Sequence, residues 1–421
     1  MTATIPPPQV APTIEFNPLD PAFLADPYPF FRALREAAPI LYVDSLGGWV
    51  FTRYEDISKM LRDPRLNIRP PVTEQLFAAV PQAQRDQMAE FERMLGGALP
   101  FANPPHHTRL RTGVTRGFTA RAIEAIRPRV QQITDDLLDG IQTRGGGDLI
   151  AEVTYPLPST VVLEFLGVPS TYHVRMAQLA GRIMELLSVQ YAADPPAVVV
   201  AAQEGMIEFG DYIGGLIEER RTQPREDLLS AMVDASDVEG TLTDEEIILS
   251  CMSLLVGSES TSNYLGNGTL ALLRNPDQYR LLGENPSLAV SATEELLRYD
   301  TSSPIITPQL ATEDVEIGGH LIKKGQLMYP VLGAANRDPA RYPDPDRLDL
   351  RREPSGTLSF SVGIHHCSGA ALARLEGQIF FTTLTRRFPH LRIDPDAAAP
   401  RYRPDPLLHG LESLHVRVNP A

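Results

Sequence analysis

Cys367 lies in the run Phe360–Gly369 (FSVGIHHCSG), where Gly363 and Gly369 bracket a histidine pair and the cysteine, and the following ALARLEGQIFF reads as a helix. A thiolate at a helix N-terminus is favoured by the free N–H groups and the dipole there. Residue type alone leaves three roles open to such a cysteine: small core residue, nucleophile or metal ligand. A second set lies inside an apolar stretch, Val256-Gly257-Ser258-Glu259-Ser260-Thr261. A glycine in mid-helix costs ~1 kcal/mol relative to alanine. A carboxylate between apolar turns costs more unless it is paired or hydrated. Local preference failing at one spot marks a functional place. A third set is Asn103-Pro-Pro-His-His-Thr-Arg-Leu-Arg111. With Asn103 as helix cap and Pro104 in the first position, His107 and Arg111 fall four apart on one face, able to hold a carboxylate. Glu295 and Arg298, three apart, share a face of another helix and read at first as an ordinary surface pair.

The elements that must position these residues are mostly helical. The clearest helix is predicted to begin at Thr243, where Thr243 and Glu246 form a capping box, and to run to Arg274 before Asn275-Pro276. At ~1.5 Å per residue it would be well over 40 Å long and cross a whole domain. Short strands are expected around Ile40–Val43, Trp49–Thr52, Asp314–Lys323 and Leu414–Val418, with Trp49 a packing residue. The class is mainly α with small β-sheets.

Composition narrows the function classes. The chain has 421 residues, 43% hydrophobic and 22% charged, with 38 basic against 53 acidic side chains and a net charge of -15. That balance argues against a nucleic-acid binder or a surface drawn to anionic lipid. Two cysteines supply neither a disulfide framework nor a four-thiolate cluster, which suits a reducing compartment. No apolar run approaches the ~18–20 residues that cross a bilayer. The start, MTATIPPPQVAP, lacks the features of a signal peptide and suggests a loose tail over residues 1–12. The expected protein is cytoplasmic.

The pattern Phe-x-x-Gly-x-His-x-Cys-x-Gly resembles the haem-binding loop of the cytochrome P-450 family, with five residues fixed within ten positions. The resemblance extends from about Phe16 to Val418 and implies one haem domain over 13–421, with the long helix above the haem. It implies that Cys367 ligates the iron of haem b as thiolate, in a loop shaped by Phe360, Gly363 and Gly369. His365 would face a haem propionate, and His107 and Arg111 would hold propionates from their helix. A thiolate ligand pushes electron density onto iron and favours O–O cleavage. Gly257, Glu259 and Ser260 would stand at the O2 site, the acid and the alcohol managing a hydrogen-bonded water chain. Glu295 and Arg298 would form a buried structural pair joined by Arg347, from the downstream run YPDPDRLDL.

Several positions depart from the family pattern. Ser361 stands where Gly is usual, and Ser368 where an aliphatic residue is usual. Ser260 replaces the usual Thr, with Thr261 as a rival alcohol, and Val256 replaces Ala. Gln309 holds a position that often gives a propionate its arginine. Substrate would meet Met252, Leu255 and Val256 on the long helix, Ile305 and Thr307 on a strand, and Leu408, beneath the segments 94–101 and 184–200.

The implied activity is insertion of one oxygen atom from O2 into an apolar or amphipathic small molecule, by hydroxylation or epoxidation. Because the sequence carries no flavin, iron–sulfur or dinucleotide signature, electrons would come to a monomer from a ferredoxin and its NAD(P)H-dependent reductase. Arg109 and Arg374 are the docking candidates. The rivals are a haem-thiolate peroxygenase or isomerase, against which the Glu259–Ser260 pair argues, and a non-catalytic haem sensor. Product formation with reductant, O2 and a compound library separates them.

Overall fold

The computed structural model describes residues 19–68, 82, 89–239, 241–354, 356–405 and 407–418; the tail 1–12 lies outside them. Its long helix is Asp244–Arg274, 31 residues. Thr243 Oγ1 accepts from the Glu246 N–H at 3.2 Å, and Glu246 Oε2 accepts from the Thr243 N–H at 2.9 Å. This closes the capping box read from the sequence. Nearly every side chain from Ser262 to Leu272 is buried. A helix covered all round is central to its domain.

Among the helices that pack along it are Pro156–Leu166 and Ala370–Arg387. The second comes so near that a Cβ on Gly377 would lie 2.4 Å from the Tyr264 hydroxyl, so the glycine permits the approach. The largest apolar cluster runs through all three helices. Among the described residues, no helix is long and apolar enough to cross a membrane.

The principal sheet has five strands in the order Ile40–Val43, Gly48–Phe51, Leu327–Pro330, Gln309–Ala311 and Leu66–Ile68. The second and third strands are parallel, with Trp49 opposite Met328. The others pair antiparallel, placing Gln309 between Ile68 and Met328. The stretch Asp314–Lys323 forms a hairpin of Val315–Ile317 with His320–Ile322. His415–Arg417 is the middle strand of a three-stranded sheet. The strands Leu66–Ile68 and Leu327–Pro330 were not expected. Each is four residues or fewer, too short to show an alternating period.

Candidate active site

A cavity of about 430 Å³ opens between the middle of the long helix, the helix His106–Thr115 and the loop that carries Cys367. The loop is held largely by its own backbone. The Cys367 N–H donates to the Phe360 carbonyl at 2.9 Å, His366 N–H to Gly363 O at 3.2 Å, and Ser361 N–H to Leu358 O at 2.7 Å. Gly363 has φ +79°, and a Cβ there would sit 2.0 Å from the Leu61 carbonyl oxygen. Ser361 has φ 56°, the left-handed region that glycine enters freely. The departure from glycine at 361 therefore carries a backbone cost of about 1–2 kcal/mol.

Cys367 lines the cavity three residues before the helix Ala370–Arg387, with Gly369 as its N-cap. Burial pushes the thiol up from its ordinary value, against the Gly369 and Ala370 N–H groups and the charges of Arg111 and Arg374, which favour the thiolate. Cys251 is fully buried in the long helix, and burial pushes its thiol further up. Two cysteines, one open to a cavity and one sealed in packing, are thereby distinguished.

His107 and His365 face each other with ring centroids 4.5 Å apart, and both line the cavity. Their Nε2 atoms are buried without a hydrogen-bond partner among the described residues. Burial, then mutual repulsion and Arg111, pushes His365 down to about 4; burial, then Arg111 and His106, pushes His107 down too. Arg111 lines the same wall, but one of its amino groups already donates to the His366 carbonyl at 2.8 Å and the Ser368 hydroxyl at 3.0 Å. Ser368 thus ties the cysteine loop to the helix His106–Thr115. Asn103 does not cap that helix as expected. Its side-chain amide instead accepts from Ile68 N–H at 3.0 Å and donates to Ile68 O at 2.9 Å, pinning the edge strand. The helix therefore starts at His106, with Pro105 at the cap.

On the opposite wall the long helix runs without a break past Gly257. It presents Ser250, Ser253, Leu254, Gly257, Ser260, Thr261 and Tyr264 to the cavity, the three-and-four spacing of one helix face. Met252, Leu255 and Val256 belong to other faces, a correction to the expected pocket. Leu255 and Val256 line a separate small recess with Tyr155 and Gly181, while Met252 is buried in the core. The expected set was out of phase by one or two residues, each worth about 100° of rotation. Of the remaining candidates Thr307 lines the cavity. Ile305 bridges Val331 in the sheet while Ile306 takes the cavity position, and Leu408 is buried away from it.

Glu259 also turns to the small recess, where Arg403 Nη1 meets its Oε1 at 2.6 Å and a second Arg403 nitrogen binds Asn263 Oδ1. Sequence reasoning missed Arg403. It lies 144 residues away, in a run that carries no motif. Glu376 was missed as well. It lines the cavity fully buried, Oε2 has no partner among the described residues, and burial pushes its carboxyl up to about 8.

Behind the cysteine loop Glu295 and Arg298 form a buried bidentate pair at 2.7 and 2.8 Å. The third member is Arg352, whose Nε meets Glu295 Oε2 at 3.1 Å, and not Arg347. Arg347 contributes its carbonyl to Arg298 and Arg352, while its side chain is 64% exposed and pairs with Asp349. The run YPDPDRLDL turns its backbone inward, so the next arginine but one reaches the pair. Of the docking candidates, Arg109 is bound to Glu246 at 2.8 Å and Arg374 to Glu294, with Arg374 also 4.5 Å above the Phe360 ring.

The family model for cytochrome P-450 matches residues 72–407. The chain is 38% identical to 6-deoxyerythronolide B hydroxylase of Saccharopolyspora erythraea over 94% of its own length and 97% of that protein's. It is 37% identical to the monooxygenase PikC of Streptomyces venezuelae, covering 96% of this chain and 94% of that one. Among solved structures, CalO2 superposes with a TM-score of 0.88 at 30% identity, covering 96% of this chain and 99% of that one. Fold, cavity and sequence agree: the chain belongs to the cytochrome P-450 family, as a monooxygenase.

Proposed function

We propose that the cavity would hold haem b with Cys367 as its thiolate ligand, and that the substrate is a small apolar or amphipathic molecule. The observation that carries this is the set of donors facing one cavity. A sulfur at a helix N-terminus stands at one side, and two buried imidazole nitrogens without partners among the described residues stand beside Arg111. Such a donor set fits an iron macrocycle bearing carboxylates, because burying those nitrogens unpaired would otherwise cost about 1–3 kcal/mol each. His107, His365 and Arg111 would hold the propionates, Arg111 with the nitrogens not spent on His366 and Ser368. Haem iron with a thiolate ligand would supply O2 activation, the inserted oxygen atom coming from O2 itself.

The chain's own residues would do the rest. Gly257 leaves room, since a Cβ there would meet nothing within 4 Å. Ser260 would hold a water in the cavity through its hydroxyl. Glu259, on the next face round, would connect that water to the recess where Arg403 reaches the surface. Apolar side chains such as Leu254, Phe118, Phe165 and Ile306 line the cavity and suit an apolar ligand. The relatives act on molecules of this kind: one hydroxylates 6-deoxyerythronolide B, and another, of Pseudonocardia autotrophica, is a vitamin D(3) 25-hydroxylase. Electrons would come from a ferredoxin and its reductase, docking on the face near Arg109 and Arg374.

The reduced carbonyl complex tests the ligand. Its Soret band should be that of a thiolate haem and remain so in Cys251→Ala. A Cys367→His variant that kept the band would end the assignment. A screen for substrate-induced spectral shift, followed by turnover with ferredoxin, reductase and NAD(P)H, tests the substrate class.

A further inference from the structure

Four hydroxyl side chains on the long helix share one habit. Ser250, Ser253, Ser258 and Thr269 each donate to a backbone carbonyl three or four residues earlier, at 2.6 to 2.8 Å. This is the usual resting place of a helical serine, and it removes the hydroxyl proton from anything beyond the helix. Ser260 departs from the habit. Its Oγ lies 3.4 Å from Ser303 Oγ, and both residues line the cavity.

Ser303 sits on a segment pinned from both sides. The Thr301 N–H donates to the Tyr28 hydroxyl at 2.7 Å, and the Thr301 hydroxyl accepts from Asn336 Nδ2 at 2.9 Å. The Ser302 carbonyl accepts from His409 N–H at 2.9 Å, and the Pro304 carbonyl from Gly333 N–H at 3.1 Å. Ile305 then bridges Val331. A hydroxyl offered from so fixed a backbone has little freedom to follow its partner. The partner must come to it.

We propose that Ser303 is the positioning residue for Ser260, holding the Ser260 hydroxyl turned into the cavity and away from its own helix carbonyls. A β-branched residue at 260 would be restrained at χ1 by its second heavy atom. Serine lacks that restraint, and the bond across the cavity replaces it. The inference rests on the reading of Ser260 as the alcohol of the proton relay. At 3.4 Å the contact is long for O–H···O, so it biases the rotamer rather than locking it. Its loss should change the population of the inward hydroxyl by a factor of about 2 to 10, the net worth of one hydrogen bond.

The test uses the haem-loaded enzyme with five variants: Ser303→Ala, Ser303→Thr, Ser260→Ala, Ser260→Thr, and Ser260→Thr combined with Ser303→Ala. One readout involves no turnover: the C–O stretching band of the reduced carbonyl complex, which shifts when a nearby hydroxyl turns toward or away from the gas. The other is hydrogen peroxide released per NAD(P)H oxidised. Ser303→Ala should move or split the band and raise peroxide release about two- to tenfold, while Ser303→Thr keeps the native values. With threonine at 260, removing the Ser303 hydroxyl should change neither readout. If Ser303→Ala is silent while Ser260→Ala alters both readouts, the positioning role is lost and the relay reading stands. If Ser260→Ala is silent as well, both are lost. An equal effect of Ser303→Ala with serine or threonine at 260 would show that Ser303 acts on its own account, which also overturns the proposal.

Discussion

The two walls of the cavity are built by different means. On the cysteine side the working atoms are set by backbone. Three turn hydrogen bonds within Leu358–Cys367, two residues at positive φ and a helix N-terminus place the sulfur, with Arg111 and Asn336 bracing the loop from outside. On the long-helix side the backbone is an uninterrupted helix, and side chains from elsewhere decide where the working groups point. Glu259 is set by Arg403, 144 residues on, and Ser260 by Ser303, 43 residues on. The first wall should tolerate loss of any one distant contact. The second should not.

The largest effect expected on the second wall comes from the acid. Glu259→Gln should slow turnover by ~10² or more, within the range that general acid–base assistance supplies. Arg403→Gln should slow it less and leave the reduced carbonyl spectrum unchanged, because the cysteine wall does not depend on it. Rates of NAD(P)H oxidation with a bound substrate check both. If Arg403→Gln disturbs the thiolate spectrum, the walls are coupled and the comparison is wrong. The choice of alcohol is exposed as well. If Thr261→Val uncouples NAD(P)H oxidation from product and Ser260→Ala does not, the relay uses Thr261.

Behind the first wall, the next largest effect concerns stability. Removing one partner of a buried ion pair strands the other charge, at about 3–5 kcal/mol, so Arg298→Leu should be severe. Arg352→Leu should cost about 1–3 kcal/mol, since Glu295 keeps Arg298 and the Asp349 N–H. Arg347→Leu should fall within about 0.5 kcal/mol, as the role of Arg347 is carried by its carbonyl. Denaturant midpoints of the holoprotein rank the three. A larger loss at 347 than at 352 would return the third place to Arg347.

What could be read in the sequence follows the same division. The cysteine loop was legible because its geometry is local, ten residues closed by their own turn hydrogen bonds, with Gly363 at a positive φ that a turn requires. The long helix was legible in extent, since its capping box and following Asn-Pro are local too. Its facing was not. Met252, Leu255 and Val256 were favoured as apolar, yet the cavity face carries Ser250 and Ser253, whose hydroxyls their own helix accommodates by back-bonding, and Ser260, which meets Ser303 instead. Arg403, Ser303 and Arg352 could not be read, because each matters through a contact made only after folding. Arg352 lies five residues from the arginine chosen instead. Residue type was right there and register was not.

Glu376 tests whether the cysteine wall has a hidden weakness of its own. Its carboxyl, raised from an ordinary 4.5 to about 8 by burial alone, stays protonated in the folded chain where the unfolded chain has lost its proton. A raised folded-state value gives stability that is complete below about pH 4.5 and is lost progressively as pH rises toward 8. The slope should reach about 1.4 kcal/mol per pH unit at most. Glu376→Gln removes the titration, so the variant should gain on the native protein between pH 5 and 8. Parallel stability curves for the two proteins across that range would mean that the carboxyl has a partner in the loaded enzyme.

The smallest expected effect lies at Gln309, where the sheet meets the cavity between the two walls. Gln309 is 6% exposed and lines the cavity, and its side-chain amide donates only a long 3.4 Å bond to the Thr307 carbonyl. Its strand is fixed on both sides, by Ile68 and by Met328, and Ile68 is itself held by Asn103. A longer cationic side chain on so rigid a strand can reach toward the carboxylates that His107 and His365 are proposed to hold. Gln309→Arg should therefore strengthen haem retention. A charge-assisted bond is worth about 1.5–3 kcal/mol, and desolvation of the guanidinium will offset part of it, leaving haem dissociation a few-fold slower. Gln309→Leu should change that rate little, since the bond it removes is weak. Transfer of haem to an excess of apomyoglobin measures all three proteins. A faster loss in Gln309→Arg would show that the strand does not face the propionate edge.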